Sequence, residues 1–250
     1  MTAPAPGRGT VLVTGASRGI GGQTALRLAA AGFDLVLWAR TIQSLRQVQQ
    51  RAAEFGADVS IAAVDVSDAA QVAAGYAAIG WRSPLAGVVL NAGSGIWQQI
   101  TEIDDAVWDQ TLATNLRGAM LVLKQSLPDL RRVPGALIVG VLSDSAKYPF
   151  PGRAAYAASK AGLAALLEVA RRETREAGVR VTALLPSRVD TAFQGSLDSA
   201  AAGCRPGSLS VEHVAEVIGW LFELPPEVEV RELQLSALTS TFGPYQEVSS

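Results

Sequence analysis

Tyr156 and Lys160 stand four residues apart in Ala-Tyr-Ala-Ala-Ser-Lys, inside a stretch whose pattern predicts helix over 155–177. Residues i and i+4 share one helix face, so a phenol and an ammonium are held side by side. The ammonium favours the phenolate and is expected to lower the phenol from its free pKa of about 10. A tyrosine poised in this way can give or take a proton near neutral pH. The pair alone arises often by chance. Here it lies thirteen residues after Ser143 and well downstream of a glycine-rich turn, a combination far harder to reach by accident. Ser145 has the wrong offset from Tyr156, and Tyr148 has no lysine four residues on.

The glycine-rich turn is Thr14-Gly15-Ala16-Ser17-Arg18-Gly19-Ile20-Gly21, between an apolar strand and a helical pattern. Glycines there permit torsions and close approach that a Cβ would block. Free amides and the positive helix end then suit a pyrophosphate. The spacing is Gly-x-x-x-Gly-x-Gly, distinct from the Gly-x-Gly-x-x-Gly dinucleotide fingerprint. Where NAD-binding folds place an acidic residue at the end of strand two, this chain has Ala39, followed by Arg40. Two guanidinium groups, Arg18 and Arg40, would suit a ribose 2′-phosphate through charge-assisted contacts. The expected cofactor is NADP(H).

These groups need a frame. Strands are expected at 10–14, 35–38, 59–64, 87–90, 136–142, 179–185 and 230–235. Helices are expected at 20–31, 42–55, 69–79, 105–127, 155–177 and 211–224, with the fourth closing before Pro128. The strands are continuously apolar, as in a sheet covered on both faces. The expected fold is therefore α/β: a doubly wound parallel sheet (Rossmann-like) forming a single domain over 1–250. Right-handed crossovers bring the strand ends carrying Gly15, Asp65, Asn91, Ser143 and Pro186 to one crevice. The segment 187–210, rich in Ala, Gly and Ser, is expected to be a flap over the site.

Taken together, these motifs resemble the short-chain dehydrogenase/reductase family over about 10–235. The resemblance rests on the 14–21 turn, Asp65-Val66, Asn91-Ala92-Gly93, Asn115, Ser143, and Tyr156 with Lys160. It implies that Asp65 contacts adenine and that Asn91, Ala92 and Gly93 line the adenine ribose. Val66, Pro186 and Val189 fall in the same cofactor-binding segments. Asn115 would hold a helix kink and a water leading to Lys160. Ser143 would bind the substrate oxygen, Tyr156 would be the acid/base, and Lys160 would bond the nicotinamide ribose. Thr191 matches the residue that commonly bonds the carboxamide. Two departures stand out: Leu90 precedes Asn91-Ala92-Gly93 where the family often has Asn, and Ser187 follows Pro186 where it usually has Gly. The C-terminal end lacks the Gly-Gly segment of fatty-acid-elongation reductases, which argues against an acyl-carrier substrate. Asp144, beside Ser143, has no account at this level beyond surface charge.

The implied activity is reduction of a small-molecule carbonyl to an alcohol, or the reverse. The alternative is a catalytically idle NADP(H)-sensing protein on the same fold. The complete Ser143, Tyr156, Lys160 and Asn115 set argues against a sensor, and the short C-terminal part argues against a nucleotide-sugar epimerase. A homodimer or homotetramer is implied by resemblance, through helices 105–127 and 155–177.

A net charge of -2 gives no pull toward nucleic acid or an anionic membrane. Hydrophobic runs are short, so no transmembrane helix and no secretory signal are expected. One cysteine, Cys204, and one histidine, His213, offer neither a disulfide nor a metal site and suit a cytoplasmic protein. Trp97 is placed either as a wall of the substrate pocket or in the core, and Trp220 as a packing group.

Overall fold

The computed structural model describes residues 8–191 and 207–240. Of the expected flap, residues 192–206 lie outside the described residues, Cys204 among them. The described chain alternates strand and helix: β1 (Thr10–Thr14), α1 (Gly19–Ala30), β2 (Asp34–Ala39), α2 (Gln43–Ala53), β3 (Val59–Ala63), α3 (Ala69–Ala77), β4 (Leu85–Leu90), α4 (Asp105–Leu112), α5 (Gly118–Leu130), β5 (Leu137–Val141), α6 (Ala154–Thr174), β6 (Arg180–Pro186), α7 (Val211–Glu223) and β7 (Glu232–Leu235). The strands form one parallel sheet in the order β3-β2-β1-β4-β5-β6-β7. The chain order reverses beside β1, between β1 and β4, and such a reversal opens a crevice at the carboxyl ends of the strands.

Alternation along the strands sends side chains into two cores. Leu12, Val36, Val88 and Ile138 pack with Val122 of α5 and Leu163 and Leu167 of α6. Val11, Leu35, Val89 and Val139 pack with Leu28 of α1, Leu45 of α2 and Ile218 of α7 on the other face. Gly219 lets α7 close on α1, since a Cβ there would lie 2.7 Å from Arg27 Cγ. Arg27 crosses that contact to Glu216 at 2.8 Å and Glu223 at 2.9 Å. Side chains fix several boundaries: Asp68 accepts from Ala70 N and Gln71 N to start α3, and Ser210 accepts from His213 N to start α7. Trp220 is 46% exposed, so it does not pack inward as expected.

The helix expected at 105–127 is three pieces. A π-helical turn at Ala113–Arg117 separates α4 from α5. Nor does α5 stop before Pro128; it runs through it to Leu130. Proline costs the bond to the carbonyl four residues back, and this close to the helix end little of the ladder remains to be broken.

Candidate functional site

The carboxyl ends of β1, β2, β3, β4, β5 and β6 open onto one cleft of about 730 Å³. Its wall includes Gly15, Ser17, Arg18, Gly19, Ile20, Arg40, Asp65, Val66, Asn91, Ala92, Gly93, Ser143, Tyr156, Lys160, Pro186, Val189 and Thr191. The topology thus brings to one cleft all but two of the residues singled out from sequence. Gly21 and Asn115 stand behind it as supports.

The glycine turn is tightly held. Gly15 has φ of 64°, and a Cβ there would fall 2.9 Å from Ala92 Cα. A Cβ on Gly21 would fall 2.4 Å from both Asn91 Nδ2 and Gly15 O. Thr14 Oγ1 accepts from Asn91 N at 3.0 Å and Ala92 N at 3.1 Å, while Asn91 Nδ2 donates to the carbonyls of Thr14 and Gly15. The side-chain amide hydrogens of Asn91 therefore brace the turn, a task the sequence reading did not assign, and Thr14 is a support that reading passed over. No side chain caps the amides of α1, whose N-cap is Arg18. An uncapped helix start behind a bend too tight for any Cβ fits a pyrophosphate. Arg18 and Arg40 are both exposed at the rim, beside Ala39. Thr191 reaches back over the turn, its Cγ2 lying 3.6 Å from where a Gly19 Cβ would stand. Asp65 Oδ1 accepts from Ser67 N at 2.9 Å and Ser67 Oγ at 2.7 Å, which fixes the carboxylate at the end of the adjoining strand.

Asn115, 1% exposed, is turned inward by the π-helical turn. Its Oδ1 accepts from Ser94 N at 2.8 Å, and its Nδ2 donates to Ser94 O at 2.8 Å and Ser159 Oγ at 2.9 Å. The kink expected at Asn115 is present, and its side chain joins the 94 loop to α6. Lys160 donates to Val141 O at 2.7 Å.

The expected acidification of Tyr156 by Lys160 does not hold in this structure. Burial raises the phenol above its ordinary pKa, and the opposing influences are the Arg153 charge and a hydrogen bond with Ser143. The i and i+4 spacing does bring Lys160 Nζ to 5.7 Å from the ring centroid, but it puts the ammonium against Val141 O. The cation that bears on Tyr156 is Arg153, its Cζ 4.7 Å from the ring centroid. Desolvation outweighs both helpers, because a phenolate in a closed site loses more hydration than one charge restores. Gly95 supports the other side of the residue, where a Cβ would lie 2.7 Å from Tyr156 Cδ2. Gly95→Ala is therefore expected to push the ring aside and cut turnover by roughly tenfold or more, at about 1–3 kcal/mol of overpacking cost. Steady-state rates beside a melting curve check this, and a variant with the activity of the parent sinks it.

Burial alone pushes Lys160 down to about 8. Below pH 8 both folded and unfolded chains hold this proton, so the buried charge is a constant penalty. Between pH 8 and the ordinary lysine value the unfolded chain binds the proton and the folded chain does not, so stability rises with pH. Lys160→Met is expected to raise the melting temperature by several degrees at pH 7, with a net gain of about 2 kcal/mol after loss of the Val141 bond. The gain shrinks above pH 8. Melts of both proteins from pH 6 to 9.5 test this, and a pH-independent difference contradicts it.

Asp144 and Ser187, the residue without an account and the departure from the family, meet each other. Asp144 Oδ1 accepts from Ser143 Oγ at 3.0 Å, and its Oδ2 accepts from Ser187 Oγ at 2.7 Å. The carboxylate thus ties the strand-five turn to the start of the segment after β6. Ser187 N also donates to Leu235 O at 2.7 Å. Sequence reading missed Arg153, which stands at the N-cap of α6, three residues ahead of Tyr156. Trp97 lines the cleft, which settles its placement as a wall. Among the described residues no cluster of His, Cys, Asp and Glu could hold a metal, and no helix is long and apolar enough to cross a membrane.

Residues 9–202 match the family model described as short chain dehydrogenase. Among curated proteins, the chain is 36% identical over 185 residues to a 3-oxoacyl-[acyl-carrier-protein] reductase of Aggregatibacter actinomycetemcomitans, covering 73% of this chain and 76% of that one. It is 33% identical over 236 residues to a sulfoacetaldehyde reductase of Chromohalobacter salexigens, covering 90% and 92%. Among solved structures, the fold is similar to an alcohol dehydrogenase from the archaeon Thermococcus sibiricus complexed with 5-hydroxy-NADP, with a TM-score of 0.86, 30% identity and coverage of 97% and 99%.

Proposed function

The chain belongs to the short-chain dehydrogenase family of oxidoreductases, and from that premise we propose that it is an NADP(H)-dependent reductase of a small carbonyl compound, or the reverse dehydrogenase. The observation that carries this reading is the convergence of Ser143, Tyr156 and Lys160 on the same cleft as the glycine turn. A nicotinamide cofactor fits the residues present: Gly15 and Gly21 leave room only for backbone, the α1 amides face the turn, and Arg18 and Arg40 stand at the rim. The relative complexed with 5-hydroxy-NADP supports the 2′-phosphorylated form.

When bound, NADPH supplies the hydride. Everything else falls to the protein. Ser143 donates a hydrogen bond to the carbonyl oxygen as negative charge develops there, and Tyr156 Oη delivers the proton to that atom. Ser143 has one hydrogen and three acceptors near it, Asp144 Oδ1, Ser145 Oγ and Tyr156, so substrate must draw that hydrogen away. Arg153 Cζ and Lys160 Nζ lie 4.7 Å and 5.7 Å from the centroid of the ring left as phenolate. Asn115, through Ser94 and Ser159, holds the floor against which the tyrosine helix rests. A nucleotide sensor would need none of this buried proton-donor set.

NADPH oxidation should be followed with a panel of activated ketones and aldehydes, alongside a binding titration of NADPH. Turnover of at least one carbonyl is the expected result; binding with no turnover on any of them favours the sensor. We also propose a homo-oligomer, since Met120 on α5 and Val169 on α6 are exposed apolar groups on the helices that the family resemblance places at an interface. Light scattering that gives the mass of one chain overturns this.

A further inference from the structure

We propose that Arg153 and Trp97 form a pocket for a carboxylate carried by the substrate close to its carbonyl group. The inference rests on the reading of the cleft as a carbonyl-reducing site and goes beyond it by naming the substrate class. The Arg153 guanidinium lies between two aromatic rings, with Cζ 4.4 Å from the Trp97 centroid and 4.7 Å from the Tyr156 centroid. Both Arg153 and Trp97 line the cleft. A bridge between Gln98 and Arg153 and a bond from Gln98 N to Gly152 O at 2.9 Å lock the two segments together. The arrangement is therefore built into the backbone.

Two donors in this clamp have no acceptor. Arg153 Nη1 and Trp97 Nε1 are both shut off from solvent, and neither hydrogen-bonds to a described residue. A cation without a counter-charge in a half-buried site is costly, and burial lowers its pKa accordingly. Nearby charges relieve it only in part, since desolvation outweighs them. Asp144 acts on Arg153 only through space, with one oxygen taken by Ser143 and the other by Ser187. Lys160 is committed to Val141 O, and Lys147 pairs with Glu232 outside the cleft. A clamp of donors alone calls for a group that only accepts, and a planar guanidinium is shaped for a carboxylate. The guanidinium is stacked on the ring whose hydroxyl would protonate the substrate. The carboxylate and the carbonyl must therefore be a few bonds apart, as in a 2-oxo or 3-oxo acid.

The test compares acetoacetate with methyl acetoacetate, which differ in the charge and in the methyl group that caps it. In the parent protein with NADPH, kcat/KM should favour the acid by roughly 10- to 100-fold, the range of a charge-assisted hydrogen bond. In Arg153→Gln that preference should collapse to within about threefold, mainly through KM, and Arg153→Lys should keep part of it. Calorimetry gives a second readout, with acetoacetate titrated into protein loaded with NADP+, where no turnover occurs. Binding should weaken by about tenfold or more in Arg153→Gln, less in Arg153→Lys. Circular dichroism and NADP+ affinity show whether each variant is folded. If the parent reduces the ester as well as the acid, or if Arg153→Gln loses both equally, the carboxylate pocket is refuted and Arg153 acts only on the Tyr156 charge. If neither compound is reduced but acetoacetate binds in an Arg153-dependent way, the pocket stands, and the reductase reading falls only if the whole carbonyl panel is also without turnover. If acetoacetate neither reacts nor binds, the pocket is refuted.

Discussion

Tyr156→Phe is expected to lower turnover by about a thousandfold or more while NADPH affinity stays within a few-fold of the parent. The substitution removes one hydroxyl and leaves the ring. Its neighbours, Gly95 on one side and Arg153 above, meet the same surface as before. The phosphate turn and the rim arginines come from β1 and β2, so cofactor binding has little reason to change. What disappears is the only phenol among the described residues of the cleft wall, and with it the proton for the nascent alkoxide. Positioned acid catalysis is worth about 10²–10⁴ in rate, which sets the size of the loss. NADPH fluorescence titration and steady-state oxidation of the same carbonyl separate the two effects. A variant retaining a tenth of the parent rate removes Tyr156 from the proton-transfer role. The raised pKa of this buried phenol also gives a pH dependence. Reduction needs the protonated phenol, which dominates across neutral pH, so the reductive rate should be flat from about pH 6 to 8. Alcohol oxidation needs the phenolate, so its rate should climb as pH rises beyond 8.

That pKa shows where sequence reading stops. The spacing of Tyr156 and Lys160 is a local fact, and local geometry did place both on one face of α6. The sign of the phenol's shift depends instead on desolvation by every element packed around it, and no short spacing reports that sum. The same division runs through the rest of the molecule. The glycine turn, the strand ends and the order of elements were legible because each rests on a few adjacent residues. Asn115 was legible as a kink by resemblance, yet the π-helical turn that buries it leaves no periodic signal in 105–127. Pro128 read as a stop because its missing donor was weighed without knowing that α5 had only two more residues to run. Asp144 and Ser187 are 43 residues apart and looked like two unrelated oddities; the sheet makes them partners. Arg153 gave no motif because its role comes from the rings that clamp it.

Arg40→Asp is expected to raise the KM for NADPH by about a hundredfold and to make NADH the better cofactor. Arg40 follows the last residue of β2, on the cleft wall and exposed, with Arg18 on the same wall. Ala39, which occupies the place of the usual ribose-binding acid, contributes no acceptor. Removing one charge-assisted contact to a phosphate costs roughly 1.5–3 kcal/mol, or about 10- to 150-fold. The introduced carboxylate adds like-charge repulsion against the 2′-phosphate and supplies an acceptor for an unmodified ribose hydroxyl. Both effects push the same way, so the ratio of kcat/KM values should change by more than either alone. Stability should move by no more than about 0.5 kcal/mol, as for surface substitutions away from the core. The parallel variant Arg18→Ala should weaken NADPH but create no NADH preference, since it removes a cation without adding an acceptor. Kinetics with both cofactors at saturating carbonyl decide the matter. Intact NADPH turnover in Arg40→Asp would mean that the 2′-phosphate is held by other groups or that the cofactor carries none.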